Sequence, residues 1–342
     1  QESIPSSENS EIIENEDGSV DINFEPGAEA PEAGDQHYSN LAVLLPDSIL
    51  TPLGSELHGN FTDYKESRRE WERSYTKGLD LLGFQFEQRT QPFQGASGAT
   101  HPVLAEAVTQ FQAQAYKELL PADGPIRTQI LGKPTPEKED QATRVTNFMN
   151  YEIMNVMKEY EPEFDSMLFY LPLAGSTFKK VYYDDLLGRA VSKFIPADDL
   201  VVPYSATSLE DAEAICHVLK ISENDLRKQQ VGGFYRDIEL HAPSSEESEI
   251  KKKERELEGI RATGYQKNDS MFTLIECHVD LDLEGFEDRG EDGMPTGINL
   301  PYIVTIDTSS RQVLSIRRNY KVDDPKKKKT QYFVHFKFLP GL

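Results

Sequence analysis

Apolar residues recur at two different periods along this chain, and the change falls near residue 175. Before it, hydrophobic positions repeat every three to four residues, the spacing of one helix face. Beyond it they alternate, as on a strand with one buried face. The strongest helical stripe, Tyr64, Arg68, Trp71, Tyr75, Leu79 and Leu82, predicts a helix over 61–84 that starts at Thr62 and stops at Gly83. A short helix over 48–54 takes Asp47 as its N-cap and is limited by Pro52. Another runs from His101 and Pro102 to Leu120, with Val103, Leu104, Ala107, Val108, Phe111, Ala115 and Leu119 as its stripe. A longer one starts near Pro136 and Glu137, where proline and acids suit a first turn. It carries Ala142, Val145, Phe148, Met149, Ile153, Val156, Met157 and Tyr160, and Glu161 and Pro162 break it. Residues 163–173 are apolar on most sides and predict a shorter, buried helix.

Beyond residue 176 the pattern predicts a hairpin with arms 178–184 and 190–195, a short apolar run at 200–203, and strands over 213–221, 271–283, 301–307, 312–318 and 331–338. One polar helix interrupts them at 244–264. It has Ser244 and Glu247 at capping-box spacing and a thin stripe of Ile250, Leu257 and Ile260, which reads as a surface-lying excursion. Helices first and strands later make an α+β chain, its helical half packed on a mainly antiparallel β region. Three parts follow: an acidic arm over 1–40, a helical segment over 41–175 and a β-rich segment over 176–342. The arm holds acids from Glu2 to Asp35 and no Lys or Arg, so it is expected to be disordered. Its patch at 20–24 is able to pair as a strand or dock on a partner. The apolar end at 336–342, with a turn at Pro340 and Gly341, leads one to expect a longer polypeptide.

Charge narrows the function. The 36 Lys and Arg stand against 59 Asp and Glu, a net charge of −23. A protein that grips DNA neutralises phosphates with cations, and here cations are in deficit; passing DNA without adhesion is compatible. No run of about 18 apolar residues predicts a transmembrane helix, and no membrane partner is expected. Cys216 and Cys277 cannot define a disulfide framework, and a reducing compartment is the simpler expectation. Cys216 with His217 and Cys277 with His278 suggest zinc, but neighbours on a strand point to opposite faces, so each pair lends one ligand to a common point. No metal and no cofactor is expected. Asp280 and Asp282 share a strand face and are the best carboxylates for the alternative reading, a metal-dependent nuclease. Gly-rich phosphate loops and a nucleophile elbow are absent from the sequence, so ATP hydrolysis is not expected. Lys251 to Lys253 are balanced by Glu254, Glu256 and Glu258, and Lys326 to Lys329 follow Asp323 and Asp324 in a loop. No catalytic residue is assigned.

Three segments in order resemble portal proteins, the ring-forming head-to-tail connectors of tailed bacteriophages. They are THPVLAEAVTQFQAQAYKELLPADGP (100–125); the block 171–217, with KKVYYDDLLGR and FIPADDLVVP; and LPYIVTIDTSSRQVLSIRRNY followed by FVHFKFLPGL. The resemblance covers roughly residues 100–342 and implies the N-terminal wing part of a subunit in a ring of about twelve copies. It implies a capsid-vertex location in the virion after assembly in the host cytoplasm. The implied partners are terminase, capsid and scaffold proteins, a tail adaptor, and double-stranded DNA that passes without specific binding. Genome packaging, ejection and tail attachment follow from the same resemblance. Another head-completion or adaptor protein is a further alternative. Family surfaces that meet terminase and DNA are expected beyond Leu342. Trp71, Tyr75 and Phe111 are the candidate subunit contacts.

Overall fold

The computed structural model describes residues 11–14, 20–23, 37–82, 93–96, 101–184, 187–240, 248–257, 271–290 and 294–338. Two compact units divide the chain, Gln1–Ser39 and Asn40–Leu342. In the first, β1 (Glu11–Glu14) pairs antiparallel with β2 (Val20–Asn23), placing Ile12 opposite Ile22. The strand anticipated at 20–24 is therefore present. Most of the arm expected to be disordered lies outside the described residues.

The second unit is α+β. Its helices are α1 (Asp47–Ser67), α2 (Arg69–Leu82), α3 (Val103–Leu119), α4 (Pro136–Tyr151), α5 (Tyr160–Ala174), α6 (Glu223–Val231) and α7 (Glu249–Leu257). The sequence divides the first two differently. Asp47 is the first residue of α1 rather than its cap, which is Pro46, and the helix runs through Pro52 to Ser67. Pro52 is exposed and withholds only the bond to the equally exposed Ser48 carbonyl. The break falls at Arg68, whose backbone leaves helical geometry (φ −101°, ψ 10°) while its side chain reaches across to another segment. The break expected at Glu161 and Pro162 sits earlier. A π-helical turn spans Glu152–Val156, Met157 ends it, and Pro162 fits the first turn of α5. The capping box at Ser244 and Glu247 lies outside the described residues; Ser248 accepts from the Lys251 amide instead.

Two antiparallel sheets follow. The smaller has order β10–β3–β4, from Phe333–Lys337, Ser176–Asp184 and Arg189–Ile195. The larger has order β5–β6–β7–β8–β9, from Leu200–Val201, Ala214–Ile221, Phe272–Leu281, Leu300–Asp307 and Val313–Arg318. One face of the larger sheet buries Cys216, Ile275, Cys277, Tyr302, Val304, Ile306 and Ile316 against Leu50, Leu57 and Phe61 of α1. Each such side chain contributes roughly 1.5–3 kcal/mol by leaving water. The exposed edge of β9 is closed by Asn40. Its amide donates to the Leu314 carbonyl and accepts from the Ile316 amide, each at 3.0 Å, in place of a further strand.

The smaller sheet is covered on both faces over part of its length, while Val181, Tyr183 and Val334 stay exposed. Phe178, Ile195 and Phe333 meet Leu200 and Ile215 of the larger sheet, Tyr75 and Leu79 of α2 and Ile250 of α7. On the other side Phe194 and Phe336 meet Phe164, Met167 and Leu168 of α5, with Phe111 of α3 beside them. Helix α7 is thus tied to the core by Ile250, which is 2% exposed, rather than lying loosely on the surface.

Gly54 sets the approach of α1. A Cβ added there would stand 2.1 Å from the Arg311 carbonyl oxygen, in the turn that joins β8 to β9. Helix propensity alone would favour Ala by about 1 kcal/mol. Gly54→Ala is instead expected to destabilise by about 1–3 kcal/mol through overpacking, read as a lower midpoint in urea unfolding.

Candidate functional site

Lys180 of β3 crosses from the smaller sheet to Glu276 of β7, binding both carboxylate oxygens at 2.6 and 2.8 Å. His278 Nε2 donates to the same carboxylate at 2.7 Å. Phe333 packs edge-on to His278 and His217 at ring distances of 5.0 and 5.7 Å. Strand alternation explains the grouping: Glu276 and His278 share one face of β7, and His217 stands opposite Glu276 on β6. Burial alone would raise the Glu276 carboxyl, but Lys180 and His278 hold it well below the usual range. Burial, with Lys180 nearby, pushes His217 down to about 3. The adjacent Lys179 points to the other face. Its ammonium sits 4.0 Å from the Tyr160 ring centre and 5.1 Å from that of Phe164, and burial lowers it to about 8.

Beside this junction a cleft of about 490 Å³ opens over the larger sheet, with Tyr182 and Tyr332 on one wall and Phe234 and Tyr235 on the other. Arg317 lies over the Phe234 ring at 4.1 Å. The polar groups at its floor are already engaged with one another, which suits a structural clamp.

The candidate contact residues lie apart from this junction. Tyr75 is 6% exposed; it stacks on Trp71 at 5.5 Å and donates to Glu254 at 3.4 Å. These neighbours lie within the same chain. Trp71 is half-buried and donates to the Ala174 carbonyl at 3.0 Å, and Phe111 packs on Phe338 at 5.1 Å. Both join helices to the smaller sheet.

Cys216 and Cys277 are directly paired across β6 and β7 with sulfurs 3.6 Å apart, both as free thiols. The two histidines face away from them. Asp280 and Asp282 are exposed near the end of β7, and among the described residues no group of three or more His, Cys, Asp or Glu is placed to hold a metal ion. Lys251 pairs with Asp199, Lys252 with Glu249 and Lys253 with Glu256 and Asp80, while Lys327 pairs with Asp288.

The feature that periodicity left open is α4. Its apolar stripe exists, but it faces solvent: Phe148 is 60% exposed, and Val145, Met149 and Tyr151 are also exposed. No residue of α4 is buried. The helix leans on the chain through Ala142, Thr146 and Asn150, one turn apart, by polar contacts to an extended segment. Thr146 meets Thr128 at 2.7 Å, and Asn150 bonds both the amide and the carbonyl of Ile126. Among the described residues nothing apolar covers this face. Periodicity alone could not tell which body the stripe packs on.

No protein-family profile and no curated protein matches the chain. The resemblance to portal proteins rests on the sequence segments named above.

The sheet junction carries a pH signature. Below pH 6.5 an unfolded chain protonates His217, whereas the folded chain resists until about 3, so stability attached to this group is lost as pH falls across that window. Glu254 acts oppositely. Burial, then Asp198, raises it to about 7, so its contribution is lost as pH rises from 4.5 towards that value. His217→Phe is expected to remove only the first effect. Relative to the parent, the variant gains about 2–3 kcal/mol in urea-unfolding stability between pH 6.5 and 4.5. A pH-independent difference would show that His217 titrates alike in the folded and unfolded chain.

Proposed function

We propose that the chain is a structural, non-enzymatic subunit of a phage portal, the ring at the capsid vertex through which the genome is packaged and ejected and to which the tail attaches. Three sequence segments in the family's order support the reading. The structural observation that carries it is α4, a helix whose Val145, Phe148 and Met149 face solvent at helical spacing. A lone soluble domain gains nothing from such a stripe; a ring subunit covers it with the next copy. Head-to-tail contacts close a ring of about twelve subunits only at a fixed rotation, which a rigid helix face is suited to set. A net charge of −23 on every copy repels a passing polyanion, so DNA slides by without adhesion. Terminase, capsid and scaffold proteins and the tail adaptor are the partners this role requires, with the virion as its location.

Phe148→Glu puts a charge into that stripe without touching the chain's own core. Light scattering of the size-fractionated polypeptide should show a closed oligomer for the parent and single subunits for the variant, with unchanged circular dichroism. A parent that is monomeric, or a variant that assembles as well as the parent, would contradict this use of α4. Cleavage of DNA by the purified chain with a divalent metal would favour the nuclease alternative.

A further inference from the structure

We propose that Cys216 and Cys277 are a paired-thiol site that a hydroperoxide converts into a disulfide, stapling β6 to β7 inside the larger sheet. Their α-carbons are direct partners in the register and their sulfurs stand 3.6 Å apart. Both thiols are free and buried.

Register decides whether such a bond can close. The Val218 amide donates to the Asp199 carbonyl at 2.8 Å, on the β5 side of β6. Peptide groups along a strand alternate between its two neighbours, so those of Cys216 also point to β5. The Thr308 amide donates to the Thr273 carbonyl at 3.0 Å, which turns Thr273 and, by the same alternation, Cys277 towards β8. The two cysteines therefore occupy a non-hydrogen-bonded position of the β6–β7 ladder. Directly opposed Cα atoms there lie about 4.5 Å apart with their side chains drawn together. That separation falls inside the roughly 4.4–6.8 Å that a disulfide spans. Closure asks for side-chain rotation rather than a change of pairing.

The hydrogen bond with Cys216, then burial, pushes the Cys277 thiol up. Little thiolate is present near neutral pH, so oxidation is slow. Once one sulfur has reacted, the other is beside it as the resolving thiol. The first sulfur attacks a peroxide oxygen, the O–O bond breaks, and a sulfenic acid forms. The departing hydroxide takes up the first thiol proton and becomes water. The second sulfur then displaces the sulfenic oxygen, which leaves with the second thiol proton as another water. The two sulfurs together give up one electron pair, and the peroxide receives it. The new bond closes a span of 61 positions that carries α6 and α7, and a closed loop of that length restrains the unfolded chain. The pair is internal to one chain, so its oxidation is independent of ring assembly.

The test treats the intact polypeptide with hydrogen peroxide, then unfolds it in urea with an alkylating agent and weighs it with and without reductant. Both thiols should become unavailable together, with the loss of two hydrogen atoms, and digestion should yield the Cys216 peptide joined to the Cys277 peptide. The urea-unfolding midpoint should rise on oxidation. Dithiothreitol breaks the disulfide but leaves methionine sulfoxide, so it should return the disulfide's share of that rise. Cys216→Ala and Cys277→Ala should each show no reversible rise. The proposal is overturned if both parent thiols stay open to alkylation, if they pass to sulfinic acid without joining, or if the link forms between chains.

Discussion

Two separate hydrogen-bonded ladders meet across an apolar seam and a largely buried ion pair, Lys180 with Glu276, and the rest of the unit is arranged around that junction. A charge taken out of water is costly unless its partner and remaining hydrogen bonds are in place. Here Lys180 reaches both oxygens of Glu276, and His278 satisfies one of them again. Lys179 and Lys180 are neighbours on β3 and must face opposite sides, one against aromatic rings and the other against a carboxylate. A slip of one residue would exchange them and bury a lysine against the wrong surface, so the pair fixes the register of the strand.

Around this junction the helices divide by what they cover. α1 lies close over the larger sheet because Gly54 admits the Arg311 carbonyl, and Arg68 ends it by turning its guanidinium to three carbonyls at 197–200. α2, α5 and α7 enclose the smaller sheet. α4 covers nothing apolar within the described chain. Its inward stripe of Ala142, Thr146 and Asn150 is small and polar, and its apolar stripe looks outward. Among the described residues, interior and exterior packing thus fall on different helices.

Much of this was legible in the sequence. The switch from helical to alternating spacing near residue 175 falls at Gly175, the left-handed residue that ends α5. Strands β6 to β9 match their alternating runs because each has a core face to specify it. Helix α6 was missed because only Leu226 and Gln230 are buried along it, too few for a stripe. Its signal was at the cap, where Ser222 and Asp225 exchange hydrogen bonds at capping-box spacing. The Lys180 to Glu276 clamp joins residues 96 positions apart, and no local pattern announces such a pair. The stripe of α4 was readable, but the direction it faces was not, since periodicity reports that a helix has an apolar side and is silent on whose core receives it. Tyr75 is the reverse case: its place in a stripe was readable, and its burial within the chain was not.

The central claim is that copies of this acidic body stand in a closed ring, joined by surfaces such as α4, around a passage for DNA. Electron-microscope class averages of the intact polypeptide test it most directly. The account predicts annular particles with a central hole and rotational symmetry. Isolated single-subunit particles, or aggregates without a closed ring, would contradict it.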